Sequence, residues 1–130
     1  NKIKRREFYR PFAGTVLHEY MDEYFEMEGL EESPFMMYAV NVRKDKVEEI
    51  PAITHVDNTC RVQTLKKEFN KNFYDIIKAF YNITDTPILL NTSFNLAGEP
   101  MVESIADALN TLHGSKIDYL YLPEYEILVQ

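Results

Sequence analysis

Tryptophan is absent from the 130 residues, cysteine occurs once, histidine three times and glycine four times. Each scarcity excludes something. A lone Cys60 rules out an internal disulfide and a thiolate zinc cluster. With no evident Cys–His–Asn arrangement around it, it reads as a small core filler rather than a nucleophile. The three histidines and the cysteine show no metal-ligand spacing, so no metal ligands are expected in this chain. The four glycines form neither a G-x-G-x-x-G turn nor a Walker-type loop, which excludes the two commonest glycine-rich phosphate cradles. No apolar run approaches the roughly 20 residues that span a bilayer. Nor is there a charged-then-apolar leader, so a soluble, cytoplasmic protein is expected, without membrane association. The chain opens on Asn1 rather than Met, and is expected to be a piece of something longer.

What is present is globular in character, with 45% hydrophobic residues and 13% aromatics. A chain of this size can bury about two-thirds of its surface around one core. The formal charge of −7 is unevenly spread. Lys2, Lys4, Arg5, Arg6 and Arg10 oppose only Glu7 in the first ten residues. Residues 11–33 then carry seven carboxylates and no Lys or Arg. An acidic whole argues against tracking nucleic acid, which needs an extensive cationic surface. A basic opening suits a local anion site, or else is a solvated arm.

Apolar residues at i, i+3, i+4, i+7 and i+8 predict helices at about 15–28, 71–83 and 105–113. The third opens on Ser104 with Asp107 three residues on, a capping-box start, and stops at Gly114. Short β-branched and aromatic runs predict strands at 36–43, 53–56, 61–65, 88–90, 119–122 and 127–129. Asp57-Asn58 between two of these runs predicts a tight hairpin. The interspersed elements point to one α/β domain with a mixed sheet and about three helices.

Three clusters carry chemistry. Lys4-x-Arg6, continued by Arg10, would place Lys4 and Arg6 on one face of an extended strand as a cationic clamp. Asn91-Thr92-Ser93-Phe94-Asn95, closed by Gly98-Glu99-Pro100, follows a buried strand. It is either an anion-cradling loop or an Asx-rich turn that satisfies its own backbone. In Thr54-His55-Val56-Asp57 and Arg61-Val62-Gln63, His55 and Asp57 form a candidate acid/base couple. Arg61, read as facing inward, would need an anionic partner.

Taken in order, Lys4-x-Arg6-Glu7-x-x-Arg10-Pro11-Phe12-Ala13, Pro51-Ala52-Ile53-Thr54-His55-Val56-Asp57 with Arg61-Val62-Gln63-Thr64, and Leu90-Asn91-Thr92-Ser93-Phe94-Asn95 with Gly98-Glu99-Pro100 resemble the C-terminal domain of the O-carbamoyltransferases. That family includes the nodulation protein NodU and enzymes that decorate cephalosporin and aminoglycoside antibiotics. The resemblance implies a YrdC-like α/β domain over residues 1–130, short of its own start and lacking a Kae1-like N-terminal domain that completes the reaction. It implies transfer of a carbamoyl group from carbamoyl phosphate to a hydroxyl, with ATP consumed to form a carbamoyl-adenylate.

Related enzymes bind nucleotide and carbonyl-phosphate groups through a K-x-R pair and an S-x-N pair, here Lys4 with Arg6 and Ser93 with Asn95. By that resemblance Lys4, Arg6 and Arg10 neutralise phosphate or carbamate oxygens. Ser93 and Asn95 hydrogen-bond phosphate or ribose, Arg61 adds a positive contact, and Asn91 belongs to the same binding set. Thr54, His55, Asp57 and Gln63 form a second tier. Mg²⁺ is expected with ATP, and a transition metal only in the absent N-terminal domain. Two alternatives remain: a non-catalytic module of the same fold binding RNA or a protein partner, and a threonylcarbamoyl-adenylate synthase, against which the hairpin motif argues.

Overall fold

The computed structural model describes residues 3–4, 7 and 9–130. Their contacts fall into two compact units. One is Pro11–Thr92, and the other joins the residues before Pro11 to Ser93–Gln130.

The Pro11–Thr92 unit is built on a five-stranded mixed sheet in the order β2-β3-β4-β1-β5. The strands are β1 (Ala13–Leu17), β2 (Phe25–Glu26), β3 (Ala39–Val42), β4 (Thr59–Leu65) and β5 (Ile88–Asn91). Central β1 runs parallel to β4 and antiparallel to β5. Between the strands lie the single helical turn α1 (Met21–Tyr24) and the long helix α2 (Lys71–Thr84).

Pairing register decides what each sheet face carries. One face presents Val16, Val40, Val42, Cys60, Val62 and Ile88, covered by Met21, Tyr24, Phe25, Ile50 and Ile53. The other carries Leu17 and Leu65, on which Ile77 of α2 packs with Phe73 and Tyr74 around it. Helix α2 starts where Asn70 accepts the Phe73 N–H and stops at Asp85, whose φ of 60° closes the C-terminus. At Gly14 in β1 a Cβ would sit 2.3 Å from Ile53 Cδ1, so any side chain there would displace the end of Ile53.

The second unit contains α3 (Ile105–His113), capped by a reciprocal Ser104–Asp107 box, and the hairpin of β6 (Leu120–Leu122) with β7 (Ile127–Val129). Ala108, Leu112 and Leu120 form its core, with Phe94, Val102 and Ile117 packed around them.

The mixed α/β sheet with three helices expected from the sequence is present, and α2 and α3 match their predicted spans. Two local expectations fail. The helix expected over 15–28 is instead β1, a 3₁₀ turn at His18–Tyr20, the single turn of α1, and β2. All five residues of β1 are buried because both sheet faces are covered, so no alternation marks the strand. The strand expected at 53–56 is a turn region, so the Asp57-Asn58 hairpin does not form; β4 pairs with β3 and β1 instead. Asn58 does adopt the left-handed conformation that motivated the reading, with φ 62°.

Cys60 is fully buried in β4, and burial pushes its thiol up to about 11. A thiol that must ionise to react is thereby protected twice, by access and by proton affinity. At pH 7.5 a soluble disulfide reagent should label Cys60 at least about 100-fold more slowly in the folded chain than in urea. Labelling at comparable rates would refute the packing. The raised value also signs a pH effect: the thiol's contribution to stability is complete below the unfolded value near 8.5 and is lost as pH rises through about 11.

Candidate functional site

The unit that includes Ser93–Gln130 opens, after β5, with a loop shaped by its own polar side chains. The Phe94 carbonyl accepts the Val102 N–H at 2.9 Å, which draws the loop closed. Leu96-Ala97-Gly98-Glu99 is a β-turn bound by Glu99 N–H to Leu96 O at 3.2 Å. Gly98 sits at its third position with φ 83°, where a side chain would be strained.

Lys4 comes to this loop from 89 residues earlier in sequence. Its ammonium donates to the Ser93 carbonyl at 2.6 Å, the Asn95 carbonyl at 2.7 Å and Asn95 Oδ1 at 2.7 Å, with Ser93 Oγ at 3.3 Å. Ser93 Oγ donates to Asn95 Oδ1 at 2.7 Å. One Asn95 Nδ2 hydrogen goes to the Glu99 carbonyl at 2.8 Å. Asn95 is therefore held with its oxygen inward and a second N–H to spare, the polarity an anion needs. A cleft of about 420 Å³ opens beside them, lined by Lys4, Glu7, Arg10, Ser93, Asn95 and Leu96–Gly98. Arg10 Nε lies 3.0 Å from Glu7 Oε2 on the rim, so an incoming anion would compete with that carboxylate for the guanidinium.

Ile3 and Lys4 lie in a turn rather than in the extended strand expected of Lys4-x-Arg6, and Arg6, the other half of that clamp, falls outside the described residues. The partner that organises Lys4 is the Ser93-x-Asn95 pair, which the sequence reading placed in the same site without a geometry.

In the Pro11–Thr92 unit, a second polar cluster spans three strands. Thr15 Oγ1 donates to Gln63 Oε1 at 2.8 Å, and Asn91 Nδ2 donates to both Thr15 Oγ1 at 3.0 Å and Gln63 Oε1 at 2.9 Å. Gln63 Nε2 donates to the Pro34 carbonyl at 2.9 Å. Gln63 and Asn91 were both expected at the site. Thr15, wholly buried at the centre, was missed because residues 15–28 read as a helix. Recognising Gly14-Thr15-Val16 as a strand would have exposed it.

Arg61 is solvent-exposed rather than inward-facing, because β4 turns Cys60, Val62 and Thr64 into the core and Arg61 with Gln63 to the opposite face. Exposure removes the desolvation argument that demanded an anionic partner. Thr54 Oγ1 donates to the Ile50 carbonyl at 2.9 Å, which makes it part of the turn. His55 and Asp57 do not touch directly. Thr59 Oγ1 lies between them, 3.0 Å from His55 Nδ1 and donating to Asp57 Oδ1 at 2.7 Å. His55 Nε2 lies 3.3 Å from the Phe12 carbonyl. The Thr59 hydroxyl and N–H together hold the Asp57 carboxyl below its ordinary range. This is a stabilised turn in which both His55 ring nitrogens lie near protein oxygens.

The family described as carbamoyltransferase C-terminus matches residues 1–128. The chain belongs to that family. Nodulation protein NolNO of Sinorhizobium fredii is 45% identical over 126 residues, covering 96% of this chain and 18% of the relative. Nodulation protein NolO of Bradyrhizobium diazoefficiens is 46% identical over 119 residues, covering 91% and 22%. The 3′-hydroxymethylcephem-O-carbamoyltransferase of Amycolatopsis lactamdurans is 35% identical over 107 residues, covering 82% and 20%. The chain thus spans about a fifth of the length of these carbamoyltransferase-family relatives. Among the described residues of this family member, no helix is long and apolar enough to cross a membrane. No group of three or more His, Cys, Asp or Glu side chains among them is placed to hold a metal ion.

Proposed function

We propose that this carbamoyltransferase C-terminal chain binds ATP and carbamoyl phosphate and supports formation of a carbamoyl-adenylate, from which a hydroxyl of a small-molecule acceptor is carbamoylated. The observation that carries the reading is the convergence of Lys4 with Ser93 and Asn95 beside the cleft that Arg10 lines. The donor set fits the chemistry. Adenylate formation crowds several negative oxygens together, and cations with neutral N–H and O–H donors stabilise that charge once Arg10 exchanges Glu7, and the Ser93 hydroxyl exchanges Asn95 Oδ1, for the ligand.

In this scheme Lys4 and Arg10 neutralise phosphate or carbamate oxygens, Arg6 completes the clamp, and Ser93 and Asn95 orient phosphate or ribose by hydrogen bonds. Mg²⁺ would arrive held by the ATP phosphates, as is usual for this cation, with few protein ligands. Transfer to the acceptor, and the transition metal it uses, is assigned to a Kae1-like domain supplied in cis or in trans. The cytoplasm is the proposed compartment.

Calorimetric titration with ATP, ADP and carbamoyl phosphate tests the reading. Saturable binding is expected, weakened by about two- to tenfold in Ser93→Ala, the effect of one neutral hydrogen bond. A folded chain that takes up none of the three ligands would refute it.

A further inference from the structure

The Thr15–Gln63–Asn91 cluster has an internal logic that determines what Asn91 can recognise. The Pro34 carbonyl can only accept, so the Gln63 atom facing it is Nε2 and the atom facing Thr15 and Asn91 is the oxygen. An oxygen there requires the Asn91 amide to turn its nitrogen inward, where Nδ2 donates to the closely spaced pair Gln63 Oε1 and Thr15 Oγ1. The orientation of the Asn91 amide is thereby fixed. What remains is Oδ1, an acceptor with no partner among the described residues, on a half-buried side chain. The oxygen held this way accepts from an N–H or O–H.

Its neighbourhood narrows the choice. Asn91 and Arg61 are both register partners of Ala13, one on each side of β1, so their side chains share a sheet face with their Cα atoms about 10 Å apart. The Arg61 guanidinium is exposed and makes no ion pair with a described residue. A small ligand carrying an anionic end and an amide end matches a cation and an acceptor so spaced.

Building on the proposed function, we infer that Asn91 Oδ1 reads the NH₂ of the carbamoyl group, and that buried Thr15 is the positioning residue that fixes the amide in that orientation. The site then distinguishes a carbamoyl ligand from an acyl ligand of the same shape.

Acetyl phosphate replaces that NH₂ by CH₃ and keeps the phosphate, which makes it the probe. The wild-type chain should bind carbamoyl phosphate at least about tenfold tighter than acetyl phosphate, since a site built to pair an N–H rejects the analogue lacking it. Asn91→Leu and Thr15→Val should bring the two within about twofold, by weakening carbamoyl phosphate alone. Thr15→Ser, which keeps the hydroxyl, should restore the difference.

An undiminished preference in Asn91→Leu overturns the inference while leaving phosphate binding, and so the proposed function, intact. A wild-type chain that binds neither phosphate overturns both. A parallel titration with ATP and its 2′- and 3′-deoxy analogues covers the other donor: a ribose preference that Asn91→Leu abolishes would assign Oδ1 to a nucleotide hydroxyl and refute the carbamoyl assignment. In the ligand-free chain at least one of the two Asn91 side-chain amide protons should exchange slowly by NMR, and faster in Thr15→Val. Fast exchange of both in the wild type would refute the network itself.

Discussion

Replacing Lys4 by Met should lower affinity for ATP and for carbamoyl phosphate by about tenfold or more, the effect expected of a charge-assisted hydrogen bond. Met keeps the stem and removes only the ammonium. Two losses act together. The cleft loses a cation, and the loop loses the donor that gathers the Ser93 carbonyl, the Asn95 carbonyl and Asn95 Oδ1 onto one point. Without it the two carbonyl oxygens repel each other, and the Ser93 hydroxyl is left as the remaining partner shown for Asn95 Oδ1.

Lys4→Arg should fail to restore binding. A planar guanidinium fork spreads its N–H groups over three nitrogens and cannot serve three acceptors gathered around one nitrogen, as the ammonium does. Calorimetry reads the affinity, and hydrogen exchange across 93–98 reads the loop, where protection should fall in both variants. Unchanged affinity in Lys4→Met would reduce Lys4 to a loop strut and withdraw the main support for the proposed function.

Leu17→Ala should cost about 2–5 kcal/mol of folding stability, the range for deleting a fully buried leucine side chain. Leu17 is wholly buried at the end of β1, wedged among Leu65 and Ile77 from β4 and α2, and its N–H reaches the Pro87 carbonyl at 3.1 Å. The cavity would open where three elements meet, and a central strand flanked on both sides has little freedom to relax into it. Urea denaturation should show a lower midpoint with an unchanged slope. A loss under about 1 kcal/mol would mean that α2 does not pack on this face as described.

The elements that were legible in the sequence are those whose signals are local. Helix α3 announces itself through Ser104 and Asp107 at one end and Gly114 at the other, and the capping box forms as spaced. Helix α2 shows the same self-sufficiency in its apolar spacing and its Asn70 cap. Residues 15–28 misled for the complementary reason. Leu17, Tyr20, Met21, Tyr24 and Phe25 have helical spacing and nearly all end up buried, but the pattern records burial and not dihedral angles. It is assembled from a strand end, a 3₁₀ turn, one turn of α-helix and the next strand. A strand covered on both faces gives no period-two signal to set against it.

The candidate site divides along the same line. Residue types and order, with Lys4, Ser93, Asn95, Gln63 and Asn91 in their motifs, were enough to propose participants and a class of ligand. They could not say that Lys4 would serve Ser93 and Asn95 directly, that Arg61 would face solvent, or that Thr15 would lie under Asn91. The last two are consequences of strand pairing between β1, β4 and β5, where register decides which side chains share a face, and the first of a lysine that reaches its loop across 89 residues. By itself, then, the sequence determined the helices that cap themselves, the apolar positions and the chemical inventory of the site, because each depends on neighbours within a few residues. Only the tertiary structure decided which of those groups meet and with what polarity, because the Asn91 amide is turned by partners 28 and 76 residues away and Lys4 reaches Asn95 from 91 residues away.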